Sequence, residues 1–378
     1  MFPGHYKLYG SKRSYFTQKL ENILKFQDLP YELINKMPHD GSNIEARTGS
    51  GAIPALVTPE DWPLADSTPI ARLLHERFAD RPIIPPGPVQ RIGMLIMEDW
   101  LDEWFMRVAM YTRWNFPESV EALVGSDISQ RLLGKQWYEV TAAERTELMP
   151  QVQASLQRIS NFRQRMTNEV ATAYGTTLQQ GQDIPVWYGA FLDHLAAHLE
   201  HHKFLLGDRP CVADFVISGG TAAHFGNDLW PRRFIEQRQP DVLKYTERCW
   251  NARYNQTGAW LSDDRLPPTW SPFFDAMQSL YLPYLRANRQ ALADGNAMVE
   301  MDFGFGSVVT PVRIYQELSR MDIQDEIQRL SVTEQQQVAN AIPADVLAAY
   351  LEPALDPIPG LAGHKDTFPE PAGIGVIE

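Results

Sequence analysis

The sequence has little cysteine, no long apolar run and no surplus of positive charge, and each shortage excludes a class of protein. Only Cys211 and Cys249 occur in 378 residues. One disulfide is conceivable, but a secreted cysteine framework, a CxxC redox pair and cysteine-based zinc spacing are excluded. No apolar run approaches the roughly 20 residues of a membrane-spanning helix, so no membrane partner is expected. Residues 1–10 lack a basic segment followed by an apolar stretch and a cleavage site, and a reducing cytoplasmic setting is the expectation. The formal net charge is -13, and residues 300–378 hold 13 acidic against 4 basic side chains. That balance repels a phosphate backbone and disfavours nucleic acid as a partner.

What is present fits a globular chain long enough for two or three domains. The 28 prolines punctuate otherwise regular segments, which predicts many short helices joined by ordered loops. Residues 6–9 read as a strand. From Ser14, the apolar positions Phe16, Leu20, Ile23 and Leu24 recur at helical spacing, and residues 31–34 read as a second strand. This is a β-α-β unit with a right-handed crossover and a parallel strand pair. After a polar stretch, Ile53-Pro54-Ala55-Leu56-Val57 reads as a strand with proline at its head, where no ladder donor is needed. Residues 59–61 form a turn and 62–64 a returning strand. Asp66-Ser67-Thr68-Pro69 then supplies helix-start chemistry.

Three of these segments resemble glutathione transferases of the serine type. They are Leu8-Tyr9-Gly10-Ser11-Lys12-Arg13-Ser14-Tyr15-Phe16, Gly51-Ala52-Ile53-Pro54-Ala55-Leu56 and Ala65-Asp66-Ser67-Thr68-Pro69-Ile70. The resemblance implies a thioredoxin-like α/β N-terminal domain followed by an all-α glutathione-transferase C-terminal domain, here with additional helices. It implies glutathione as co-substrate and a small hydrophobic electrophile as partner, with a homodimer as one arrangement. Ser14, at the start of the first helix, would stabilise the glutathione thiolate, where free N–H groups and the helix dipole favour negative charge. A plain helix cap is its competing role, and Tyr9 and Ser11 are the alternative catalytic residues. Tyr15 stands where many members carry proline. Its ring either shapes the glutathione pocket or packs.

Ile53 and Pro54 resemble the pair joined by a cis bond, whose backbone would meet the cysteinyl part of the tripeptide. Asp66 and Ser67 would hold the γ-glutamyl end, with helix capping as the alternative. Many members carry glutamate at the Asp66 position. Lys36, His39 and Arg47 are the candidates for the glycyl carboxylate. Glutaredoxin-type chemistry is disfavoured, because serine stands at the helix start and this domain contains no cysteine.

Residues 82–88, Pro-Ile-Ile-Pro-Pro-Gly-Pro, read as a linker between domain 1–81 and a helical domain 89–260. Aromatics crowd residues 100–114, mostly as core; Arg107, Tyr111, Arg113 and Trp114 are the candidates for a second-substrate pocket. Residues 115–150 read as turns and shorter helices, and Leu156, Ile159, Phe162 and Met166 as part of a longer helix. His194 and His198 share a helical face, but no third ligand is evident, so no metal is expected. Cys211-Val212-Ala213-Asp214-Phe215 resembles the family's capping-box signature, with cysteine in place of serine or threonine. Gly219 and Gly220 suggest close helix packing.

Residues 261–378 form an addition to the usual two domains. Covering the cleft, extending a dimer interface and stabilising a monomer are all open to it. Residues 273–293 read as a helix interrupted at Pro283. Asp302-Phe303-Gly304-Phe305-Gly306-Ser307 reads as a loop or short extended piece, weak as a phosphate-binding signal. The final 25 residues, rich in proline and glycine, read as surface-wrapping or mobile. A non-catalytic binding or scaffold protein on the same fold is the alternative to a transferase.

Overall fold

The computed structural model describes residues 4–36 and 43–355. His39 and nearly all of the proline- and glycine-rich closing segment lie outside the described residues.

Alternation along the first strand sets the layers of the N-terminal domain. In β1 (Tyr6–Gly10), Tyr6 and Leu8 join the main core, while Tyr9 joins a small cluster with Ile44, Ala55 and Val57. The remaining elements are α1 (Tyr15–Phe26), β2 (Tyr31–Asn35), α2 (Ile44–Thr48), β3 (Ala55–Val57), β4 (Pro63–Ala65) and α3 (Ser67–Arg77). The sheet order is β2-β1-β3-β4, with β1 parallel to β2 and the other pairs antiparallel. This is a thioredoxin-like α/β domain, in the element order read from the sequence except for α2, which lies in the stretch read as a polar loop.

An all-α region follows. It comprises α4 (Pro88–Trp104), α5 (Met106–Trp114), α6 (Pro117–Leu133), α7 (Ala142–Arg158), α8 (Ser160–Arg165), α9 (Ala171–Ala173), α10 (Ile184–Leu199), α11 (Val212–Gly220), α12 (Leu229–Arg238) and α13 (Asp241–Asn251). The addition contributes α14 (Ser271–Ala276), α15 (Leu282–Ala293), the hairpin β5 (Met298–Asp302) and β6 (Ser307–Pro311), then α16 (Ile314–Gln328), α17 (Val332–Ala341) and α18 (Ala344–Tyr350). Other stretches depart from the sequence expectation as well, since the helix read through Leu156 to Met166 is divided at Ile159 between α7 and α8. Residues 115–150 hold long helices rather than short ones, because Pro117 sits in the first turn of α6, where its missing N–H costs nothing. The break expected at Pro283 is a π turn at Met277–Tyr281, and Pro283 lies in the first turn of α15.

The first two domains meet along α1 and α11. A Cβ on Gly219 would lie 2.4 Å from the Lys19 backbone nitrogen, and one on Gly220 would lie 2.4 Å from the Tyr15 ring. Lys19 is buried and reaches α4, with Nζ 2.6 Å from Glu98 and 2.5 Å from Asp102. Burial pulls its ammonium down, but the two carboxylates outweigh that and hold it above its usual range. One turn away on α4, buried Asp99 accepts hydroxyls from Tyr281 at 2.6 Å, Ser319 at 2.6 Å and Tyr350 at 2.7 Å. Asp99 thereby fastens three parts of the addition to the second domain.

Candidate functional site

The structure brings residues from all three parts of the chain to one cleft of about 360 Å³. One wall belongs to the thioredoxin-like domain: Phe16, then Gly49 to Pro54 in part, then Ala65, Asp66, Ser67 and Thr68. The Ile53–Pro54 bond is cis. Asp66 follows β4 and caps α3, its Oδ1 accepting the Thr68 N–H at 3.3 Å. The opposite wall is Asp102, Glu103 and Met106 from the helical domain, with Tyr174, Arg313 and Tyr315 closing it.

The electrostatics of that second wall are unusual. Burial raises the Asp102 carboxyl above its usual range, with Lys19 opposing, and its Oδ1 has no hydrogen-bond partner among the described residues. Burial, and then Asp99 and Asp102, push Glu103 up to about 8, with Arg313 opposing. Asp66 is raised by burial despite the hydroxyl that Tyr315 donates to its Oδ2. The addition therefore reaches across the cleft to the first domain.

Each described residue singled out for the glutathione site has a definite place. Ser14 is half-buried and caps α1; its Oγ accepts the Thr17 N–H at 3.3 Å. It is not among the cleft-lining residues, although Phe16 is. Ser11 Oγ accepts the Arg13 N–H at 3.2 Å. Tyr9 lies in the cluster beside α2, away from the lining. Tyr15 is buried between the domains, with its hydroxyl on the Leu101 carbonyl at 3.2 Å and its ring edge-on to Phe225. Ile53, Pro54, Asp66 and Ser67 all line the cleft.

Of the four residues considered for a second-substrate pocket, none lines this cleft. Arg107 pairs with Asp183 through two hydrogen bonds of 3.0 and 3.3 Å and stacks on Trp104 and Phe303. Arg113 meets Asp228 at 2.8 Å and donates to the Arg13 and Ala223 carbonyls, so it pins the loop before α1. Tyr111 packs on Phe116 and Trp230, and Trp114 on Phe162. Lys36 is held by Glu45 and the Gly51 carbonyl, and Arg47 by Asp61. His198 is buried, its ring nitrogens on Thr269 and the Phe204 carbonyl, and burial lowers it to about 4.

Asp102, Glu103, Arg313 and Tyr315 had not been singled out. For the first two a local signal existed: Glu98, Asp99, Asp102 and Glu103 crowd four acids into an otherwise apolar helix. Arg313 and Tyr315 carry no such signal, since only tertiary packing brings them to the cleft. The glycines of 302–307 do not present free amides either. Gly304 and Gly306 donate to Asp302 Oδ1 at 2.7 and 3.2 Å.

Residues 8–82 match the family model for the glutathione S-transferase N-terminal domain. The thioredoxin-like domain of this chain is thus similar to the N-terminal domain of glutathione S-transferases. Among solved structures, a glutathione S-transferase from Rhodospirillum rubrum is 15% identical, covers 70% of this chain and 98% of its own, and has a TM-score of 0.39. The beta-etherase LigF from Sphingobium is 19% identical, covers 64% and 93%, and has a TM-score of 0.41. A glutathione-bound transferase from Methylobacillus flagellatus is 15% identical, covers 66% and 99%, and has a TM-score of 0.35. No described helix is long and apolar enough to cross a membrane.

Proposed function

We propose that the chain is a glutathione-dependent transferase that adds the glutathione thiolate to a small hydrophobic electrophile. One observation carries this: Ile53-Pro54 and Asp66-Ser67-Thr68, distant in sequence, line the same cleft. The Ile53 backbone bonds the cysteinyl part of the tripeptide. Asp66 pairs with the γ-glutamyl ammonium, and the Ser67 hydroxyl and the α3 N-terminus take its α-carboxylate. Residues 1–81 then bind glutathione, 82–88 link, 89–260 give the electrophile side Asp102, Glu103, Met106 and Tyr174, and the addition that begins at 261 covers the cleft through Arg313 and Tyr315. Cys211 and Cys249 are buried free thiols, which suits a reducing cytoplasm.

Ser14 is the thiolate-stabilising residue in this mechanism. Accepting the Thr17 N–H leaves its own O–H available, since a hydroxyl has one donor and two acceptor sites. A hydrogen bond from that O–H to sulfur lowers the thiol pKa and enriches the nucleophile at neutral pH. Ser14→Ala is expected to lower kcat/KM about 100-fold, beyond the roughly 1 kcal/mol of stability lost with the cap. Steady-state turnover with glutathione and a chloronitrobenzene checks this; unchanged turnover removes Ser14 from the chemistry.

A non-catalytic binding role is the second function, and one contact favours it. The carboxylate assigned to the ligand's ammonium already accepts the Tyr315 hydroxyl and the Thr68 N–H. Absence of turnover against a panel of electrophiles, with glutathione bound weakly or not at all, identifies that case.

A further inference from the structure

We propose that the cleft selects an electrophile bearing a carboxylate or similar oxyanion, and that Arg313, supplied by the C-terminal addition, is the residue that binds it. The identity of the electrophile rests on the transferase function proposed above; the anion-binding role of Arg313 does not.

Arg313 stands between β6 and α16 and lines the cleft. Its backbone is pinned from both sides by buried Asn288. The Arg313 N–H donates to Asn288 Oδ1 at 2.7 Å, and the Arg313 carbonyl accepts from Asn288 Nδ2 at 2.9 Å. Its guanidinium carbon lies 3.7 Å from the centre of the Tyr174 ring. The backbone anchor and the stacking partner together fix the guanidinium before any ligand arrives.

What this guanidinium lacks is a counter-ion. Buried Arg107, Arg113 and Arg320 each meet a carboxylate at 2.6 to 3.0 Å. Among the described residues Arg313 forms no such ion pair, and one of its five N–H donors reaches the Ala173 carbonyl at 3.3 Å. Glu103, the acid on the facing wall, is raised to about 8 by burial and by Asp99 and Asp102. Held up in this way it opposes the Arg313 charge less than a free carboxylate would, and, against desolvation by burial, Tyr174, Tyr284 and Glu103 together keep the guanidinium charged. Arg313 is half-buried, so it persists without a carboxylate partner, and a ligand carboxylate in the cleft completes its pairing.

The surroundings define the rest of that ligand. Phe16, Met106 and Tyr174 give it an apolar body, and the cleft of about 360 Å³ is near the small end for ligand sites. An aromatic carboxylate of one ring fits both features. With 4-chloro-3,5-dinitrobenzoate, for example, the thiolate sulfur bonds the chlorine-bearing carbon, the C–Cl bond breaks and chloride leaves with the electron pair.

A carboxylate at Arg313 has two sources, the electrophile and the glycyl end of glutathione, and calorimetry on the full chain separates them. The titrants are 3,5-dinitrobenzoate, neutral 1,3-dinitrobenzene and glutathione. The parent is expected to bind the benzoate at least 10-fold more tightly than dinitrobenzene. Arg313→Met should raise the benzoate Kd about 10- to 100-fold, with dinitrobenzene and glutathione each changing less than threefold. Arg313→Lys should recover part of the loss. If the Met variant does not fold, Arg313→Gln provides the same comparison. No preference for the anion in the parent overturns the proposal. So does an Arg313→Met loss that is equal or greater for glutathione, which assigns the cation to the tripeptide. Discrimination of the benzoate in a protein that binds no glutathione keeps Arg313 as an anion site and refutes the transferase function alone.

Discussion

Asp66 holds φ 76° and ψ 134°, backbone that glycine occupies freely and other residues enter at a cost of about 1–3 kcal/mol. Its carboxyl is half-buried and raised above the usual range by desolvation. Neither feature helps folding, and both fit the glutathione-binding role proposed for it. Asp66→Gly is expected to raise stability by about 1 kcal/mol, since glycine also caps helices with little loss, and to weaken glutathione binding at least 10-fold. Denaturant midpoints and calorimetry read the two effects; a less stable variant with unaltered binding contradicts this role. Glu103 gives a pH signature. Its folded-state pKa, about 8, lies above that of an unfolded carboxyl. The folded state therefore holds the proton more tightly, and the stability this contributes is full below the usual carboxyl range and lost as pH rises through about 8. Glu103→Gln should thus gain in Tm relative to the parent as pH rises from 5 to 9. The facing groups, Asp66, Asp99, Asp102 and Arg313, are common to both proteins, so the difference isolates Glu103. A pH-independent gap in Tm contradicts it. Asp66 and Ser67 were legible in the sequence because a helix start has a local signature. Arg313 and Tyr315 were not, because they reach the cleft through packing more than 200 residues along the chain.

At the scale of elements, close approach decides. Alanine is better than glycine inside a helix by about 1 kcal/mol, yet a Cβ at Gly219 would lie 2.4 Å from backbone atoms of α1. Gly219→Ala is expected to cost about 1–3 kcal/mol, read from denaturant unfolding; a stabilised variant would mean that α1 and α11 are not in contact as described. At the start of α11 cysteine replaces the usual hydroxyl cap. Asp214 offsets it by accepting from the Cys211 and Leu205 amides, the Cys211 thiol and the Tyr245 hydroxyl. The pairing of a helix signature with two glycines was readable in advance. The cap of α4 was not. Its Val89 and Gln90 amides donate to Asp264 at 2.9 and 3.0 Å, from a segment remote in the chain. Proline misled in the region 115–150, where Pro117 opens a helix instead of ending one.

At the scale of the whole molecule, the addition is built into the fold. Asp99 ties Tyr281, Ser319 and Tyr350 to α4, and α16 carries Tyr315 to Asp66 in the first domain. Sequence patterning placed helices in this region but left its role open among covering the cleft, extending a dimer and stabilising a monomer. Its contacts with the cleft are the observation that patterning has no means to supply. The most direct measurement on the complete chain is a calorimetric titration with glutathione, alongside Asp66→Ala and Ser67→Ala. Saturable binding in the parent, weakened at least 10-fold in each variant, is the expected result. No binding at millimolar glutathione, or binding that both variants leave unaltered, contradicts a glutathione site at this cleft.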